Sequence, residues 1–167
     1  FGIQKLLHPG TADEIYNETS DMLSSADFSV RNLLRRMKVE VVCTTDDPID
    51  SREFHRQIRE DGYEINILPA WRPDKNMAVE NPGSYNKYLD QLASVSNVDI
   101  NNIQSLRDAL QKRHDYFHQQ GCRLSDHGLE TFYADPYSDS EIAVIFKRIR
   151  SSNYLNHIEI LKFKTAM

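Results

Sequence analysis

The chain has 167 residues, 40% hydrophobic and 27% charged, which supports one globular core but falls short of the ~250 residues of a complete (β/α)8 barrel. A balance of 20 Lys and Arg against 25 Asp and Glu gives a formal charge of −5 with no basic run to follow a phosphate backbone, so nucleic acid is not expected as a partner. No apolar stretch approaches the ~18 residues of a membrane span, and Phe1 to Gly10 lack the basic-then-apolar order of a secretory signal, so a cytoplasmic location without a membrane partner is expected.

The elements follow in chain order. Phe1 stands where a start Met would, and Met167 falls within a helical pattern (Ile158, Leu161, Phe163), so both ends read as cut. Thr11 with Glu14 has capping-box spacing and predicts a helix over about 11–24; Ser29 caps a short one through Met37. Val39 to Cys43 is β-branched and nearly continuous in apolarity, a strand. Asp50 or Ser51 starts a helix over about 51–60, and the alternation from Glu64 to Pro69 predicts a second strand. Pro82 opens a helix that buries Tyr85, Leu89 and Leu92. In the next, over about 102–120, Ile103, Leu106, Leu110, His114 and Phe117 recur at spacings of three and four before Gly121, which suits the position after a helix end. Cys122 to Leu124 reads as a brief third strand. Ser138 with Glu141 repeats the capping-box spacing for a helix over about 138–150, and a last helix follows Asn153. Each strand lies between helices, which predicts an α/β fold with parallel strands, right-handed crossovers and helices on the faces. Cys43 and Cys122, far apart and without CxxC spacing, read as free buried thiols.

In parallel α/β architectures ligands bind beyond the carboxyl ends of the strands. There the sequence places Thr44-Thr45-Asp46-Asp47-Pro48, Trp71-Arg72-Pro73-Asp74-Lys75 and Ser125-Asp126-His127-Gly128, three groups predicted to face one site. Arg72 offers a planar fork of donors for a carboxylate or for vicinal hydroxyls, or for a salt bridge to Asp46, Asp47 or Asp74. Asp126 beside His127 suits proton transfer, a metal shell or plain hydrogen bonding. For Asp46 and Asp47, turn formation and helix capping compete with a binding role. His114 and His118 have the i, i+4 spacing of a zincin pair, but Asp115 replaces its Glu, which favours packing or surface exposure for both. A hydrolase triad is not expected from the adjacent Ser125, Asp126 and His127, because triad members come from separate segments and no G-x-S-x-G elbow is present. Neither glycine-rich phosphate-binding loop occurs.

Taken together the motifs resemble one family. Gly10 to Ile15 is similar to its PSTADEIW-type segment, Cys43 to Ser51 to its TTDDPIDS strand end, and Leu68 to Lys75 to its LP-x-[WF]-RPDK segment; Gly121 to His127 and Phe163 to Ala166 match in the right order. The family is uronate isomerase, also called glucuronate isomerase, of the amidohydrolase superfamily. The resemblance implies a partial (β/α)8 TIM-barrel-like unit with about three parallel strands and helix-rich connections, a single α/β segment over 1–167 that forms an interior part of a larger barrel. It also implies a reaction, the interconversion of D-glucuronate with D-fructuronate and of D-galacturonate with D-tagaturonate, by moving a proton between C2 and C1. Carried over by motif, Arg72 helps bind the substrate, Asp126 lies in the active site with His127 beside it as a catalytic pair, and Trp71 with Thr45, Asp46 and Asp47 shapes the substrate-binding rim. The family's divalent metal, Zn or Mn, is expected only in a complete enzyme: this chain has no H-x-H, and no metal ligand is assigned to it. Alone, it is expected to be inactive and prone to self-association through open sheet edges. A stand-alone sugar-acid-binding or protein-interaction module is the competing reading.

Overall fold

Side-chain caps set most of the helix starts in the computed structural model, which describes residues 1–129 and 131–167. Helix α1 spans Ala12–Leu23 and α2 spans Val30–Arg36; β1 is Val41–Asp46, α3 Glu53–Glu60 and β2 Asn66–Trp71. They are followed by α4 (Pro82–Ser96), α5 (Ile103–Gln119), α6 (Asp139–Arg150) and α7 (His157–Ala166). Asn81, Asn102, Ser138 and Asn156 each accept a hydrogen bond from the third residue of their helix, and at the last three the N3 side chain returns the bond as a capping box.

Two expected caps are corrected. The Thr11 hydroxyl is already engaged, donating to Leu6 O at 2.7 Å and accepting from His8 N–H at 3.1 Å, so it does not cap α1. Helix α3 starts at Glu53 rather than 51, because Arg52 stands before it in the left-handed region, with φ 59°. The end of α5 is as expected: Gly121 has φ +99°, its N–H donates to His118 O and the Cys122 N–H donates to Phe117 O, the double bond of a Schellman ending.

The chain divides into two units. The first comprises residues 1–42 and 62–66. Within it Phe1 stacks on Phe28, Arg31 and Arg35 lie over the Tyr63 ring, and Arg35 pairs with Glu64. The second comprises residues 43–61 and 67–167. Its core gathers Tyr85, Leu89 and Leu92 of α4, Leu106 of α5, Phe146 of α6 and Phe163 of α7, all 2% exposed or less. A smaller cluster of Trp71, Phe117 and Cys122 fixes the end of β2 against α5.

The strands pair in parallel: Asn66 N–H donates to Glu40 O and Arg72 N–H to Asp46 O, so both strands advance together. Each strand starts two residues later than its apolar run suggested, and β1 ends three later, β2 two. The expected third strand at Cys122 to Leu124 is corrected to a single parallel bridge between Trp71 and Ser125, made by Trp71 N–H to Leu124 O and Asp126 N–H to Trp71 O. Cys43 is corrected as well. Both thiols are free, but β1 alternates and turns Val41, Cys43 and Thr45 to its open face, leaving only Cys122 buried. Among the described residues no helix is long and apolar enough to cross a membrane.

Candidate functional site

The end of β2 carries the centre of the site. Because strand residues alternate in direction, Trp71 turns into the packing, where Phe117 meets its ring edge-on at 5.1 Å and His114 at 5.4 Å, while Arg72 points the other way. The Arg72 guanidinium is about one-third exposed and pairs through one amino nitrogen with Oδ2 of Asp126; its Nε lies 3.8 Å from Asp74 Oδ2. The same Asp126 oxygen accepts from the Thr45 hydroxyl at 3.1 Å. The ends of β1 and β2 and the segment after the Ser125 bridge thus meet through three side chains, Thr45, Arg72 and Asp126, and the partner of Arg72 is Asp126 together with Asp74 rather than Asp46 or Asp47.

Asp74 organises the next turn. Its Oδ1 bonds His127 Nδ1 at 2.9 Å and its Oδ2 accepts Gly128 N–H at 2.7 Å. With Nδ1 committed to the carboxylate, the half-exposed His127 imidazole presents Nε2 outward. Asp47 accepts Ile49 N–H at 3.1 Å, closing its turn, and lies 3.4 Å from the Lys75 ammonium. Burial and the Asp47 carboxylate nearby push the Tyr88 phenol above its ordinary value.

Asp46 faces inward instead. It is 6% exposed, pairs with the equally buried Arg52, and accepts from the Thr44 hydroxyl at 2.6 Å and from Ala70 N–H at 3.2 Å. Since the Thr44 proton goes to Asp46, His55, 2.8 Å from the same hydroxyl, is the donor there through Nε2–H. Burial lowers the His55 value below that of a free imidazole, and Asp46 opposes this only in part. Helix α5 holds the loop from behind: Arg113 Nε donates to Pro48 O at 2.7 Å, its Nη2 to Asp50 O at 2.8 Å, and Tyr116 OH to Ser51 O at 2.8 Å.

Arg52, His55 and Arg113 were not singled out from sequence, and Asp74 was named there only as a salt-bridge partner for Arg72. One signal existed for Arg113: the buried stripe of α5 runs Leu106, Ala109, Arg113, Phe117, so an arginine sits in phase with the core while His114 is half exposed. Arg52 gave none, standing in a polar run whose left-handed turn only the structure reveals. His118 is exposed and shares no described ligand cluster with His114. Among the described residues no group of three His, Cys, Asp or Glu side chains is placed to hold a metal ion. Asp126 and Asp74, the carboxylates nearest the centre, are already engaged by Arg72, Thr45, His127 and a backbone amide. The described residues therefore do not fit a metal site of their own.

The family model for glucuronate isomerase matches residues 1–167. The chain belongs to the glucuronate isomerase family. It is 55% identical over 167 residues to a uronate isomerase of Bacteroides thetaiotaomicron and 48% identical over 169 residues to one of Cellvibrio japonicus; each comparison covers 100% of this chain and 36% of the relative. The crystal structure of uronate isomerase from Thermotoga maritima superimposes with a TM-score of 0.85 at 34% identity, over 99% of this chain and 36% of that one. Glucuronate isomerase from Caulobacter crescentus also gives a TM-score of 0.85, at 26% identity, with 34% of its chain covered. The chain thus spans about a third of the length of the relatives it matches.

Proposed function

We propose that this chain works as part of a longer uronate isomerase, contributing an interior portion of its (β/α)8 barrel and the ends of adjacent strands to the active site. Family membership over all 167 residues supports this reading over a stand-alone module, and the 36% coverage of relatives supports a larger whole. The reaction is the interconversion of glucuronate with fructuronate, and of galacturonate with tagaturonate: the C2 proton leaves, an enediol forms, and a proton is returned at C1. Such chemistry needs a cation for the substrate carboxylate and groups that accept and return protons.

The observation that carries the proposal is the Thr45–Arg72–Asp126 junction. One amino nitrogen of Arg72 is committed to Asp126, and the remaining N–H donors of the partly exposed fork suit a uronate carboxylate. Asp126, kept as an acceptor by Arg72 and Thr45, and His127, oriented by Asp74, form the proton-handling pair. Trp71 supports Arg72 from within, and Asp46 and Asp47 shape the rim through the turn they hold. The divalent metal belongs to residues outside this chain, and none of these roles is routed through it. The test is Asp126→Asn in the longer protein: kcat for glucuronate is expected to fall by about 100-fold or more, in the range of lost acid–base catalysis. A kcat within about threefold of wild type would remove Asp126 from the chemistry.

A further inference from the structure

Arg52 combines two features that folding alone disfavours. It holds φ 59°, a region that non-glycine residues rarely occupy, and its guanidinium is taken out of water, the residue being 6% exposed. Such strain persists where the surroundings over-determine it, and here they do. One amino nitrogen pairs with Asp46, the other lies 2.9 Å from Asp50 Oδ2 as an ion pair, and the guanidinium lies 4.8 Å from the centre of the Phe117 ring. Behind the turn, Arg113 and Tyr116 hold the carbonyls of Pro48, Asp50 and Ser51.

Asp46 passes this constraint on. Its side chain accepts Ala70 N–H and its backbone carbonyl accepts Arg72 N–H at 2.9 Å, so it grips β2 on both sides of Trp71. The residue before it on β1, Thr45, reaches Asp126, the partner of the Arg72 guanidinium. We propose that Arg52, acting through Asp46, is a positioning residue that sets where the Arg72 guanidinium stands relative to a bound uronate. The proposal rests on the function argued above, in which Arg72 receives the substrate carboxylate. A salt bridge serving stability alone would be better replaced by apolar packing and would not need a left-handed arginine.

The discriminating variant is Arg52→Gly in the longer protein, because glycine accepts the left-handed backbone while the guanidinium is lost. KM and kcat for glucuronate are measured together with Tm, with and without guanidinium ion well below denaturing concentrations. The expected result is a kcat/KM lower by about 100-fold, carried more by KM than by kcat, and at least about tenfold recovery with guanidinium but not with sodium. Arg52→Lys, which keeps the cation and loses the fork, gives a several-fold rise in KM and carries the test if the glycine variant does not fold. Wild-type KM in either folded variant, or loss of activity that guanidinium leaves unchanged, overturns the proposal while the function stands. A wild-type protein that neither binds nor isomerises uronates overturns the function, and the positioning role falls with it.

Discussion

At the scale of single residues, the buried chain from His55 through Thr44 to Asp46 makes stability depend on pH in a direction that can be worked out. Burial holds the folded His55 value below that of the unfolded imidazole, about 6.5. As pH falls through that value the unfolded chain takes up a proton that the folded one refuses, so stability declines; the decline from this group ends once the pH is below the folded value. Thermal unfolding of wild type between pH 7.5 and pH 5, numbers chosen to bracket ~6.5, is expected to show a steeper loss than His55→Gln, which keeps a donor for Thr44 and cannot titrate. Equal slopes would place the imidazole in contact with solvent. The residues missed in the sequence share a physical reason. A motif reports chemistry that faces a ligand, as Arg72 and Asp126 do, whereas Arg52 and Arg113 act on backbone carbonyls and on other side chains, and their meaning depends on burial.

At the scale of elements, caps were legible where the cap side chain had no competing partner. Ser138 capped α6 as its spacing predicts, whereas the Thr11 hydroxyl was drawn to Leu6 O and His8 N–H. Strand ends were less legible, because an apolar run reports where side chains favour a sheet, while pairing is decided by the neighbouring strand. Thus Asp46 and Trp71, beyond their apolar runs, are strand residues because Asp46 O accepts Arg72 N–H, while the Trp71 backbone donates to Leu124 O and accepts Asp126 N–H. Cys122 to Leu124 was read as a strand from its helical neighbours, and the one bridge formed there is at Ser125. The α5 ending that delivers this segment is testable. Gly121 has φ +99°, and an added Cβ would stand 3.1 Å from Leu68 Cδ2, on β2. Gly121→Ala is therefore expected to cost more than the ~1 kcal/mol of an ordinary glycine replacement at positive φ, read as a lower denaturant midpoint at unchanged m-value. A midpoint equal to wild type would mean that the Schellman ending is not needed to bring Ser125 to Trp71.

At the scale of the whole molecule, the chain is a member of the glucuronate isomerase family and spans 36% of the length of its relatives, in keeping with a length too short for the complete barrel that the resemblance implies. The TM-score of 0.85 against two solved isomerases ties the arrangement of these helices and two strands to that family. What this chain holds is a junction of two strand ends and the segment after the Ser125 bridge, with a guanidinium held by carboxylates and backed by a buried arginine–aspartate pair. The central claim is that Arg72 receives the substrate carboxylate, and the most direct measurement is steady-state kinetics of Arg72→Met in the longer protein with glucuronate, alongside its Tm. Loss of a carboxylate contact of ~2–5 kcal/mol predicts a kcat/KM lower by about 30-fold or more, mostly through KM, with Tm little changed. A kcat/KM equal to wild type would contradict the account and remove Arg72 from the site.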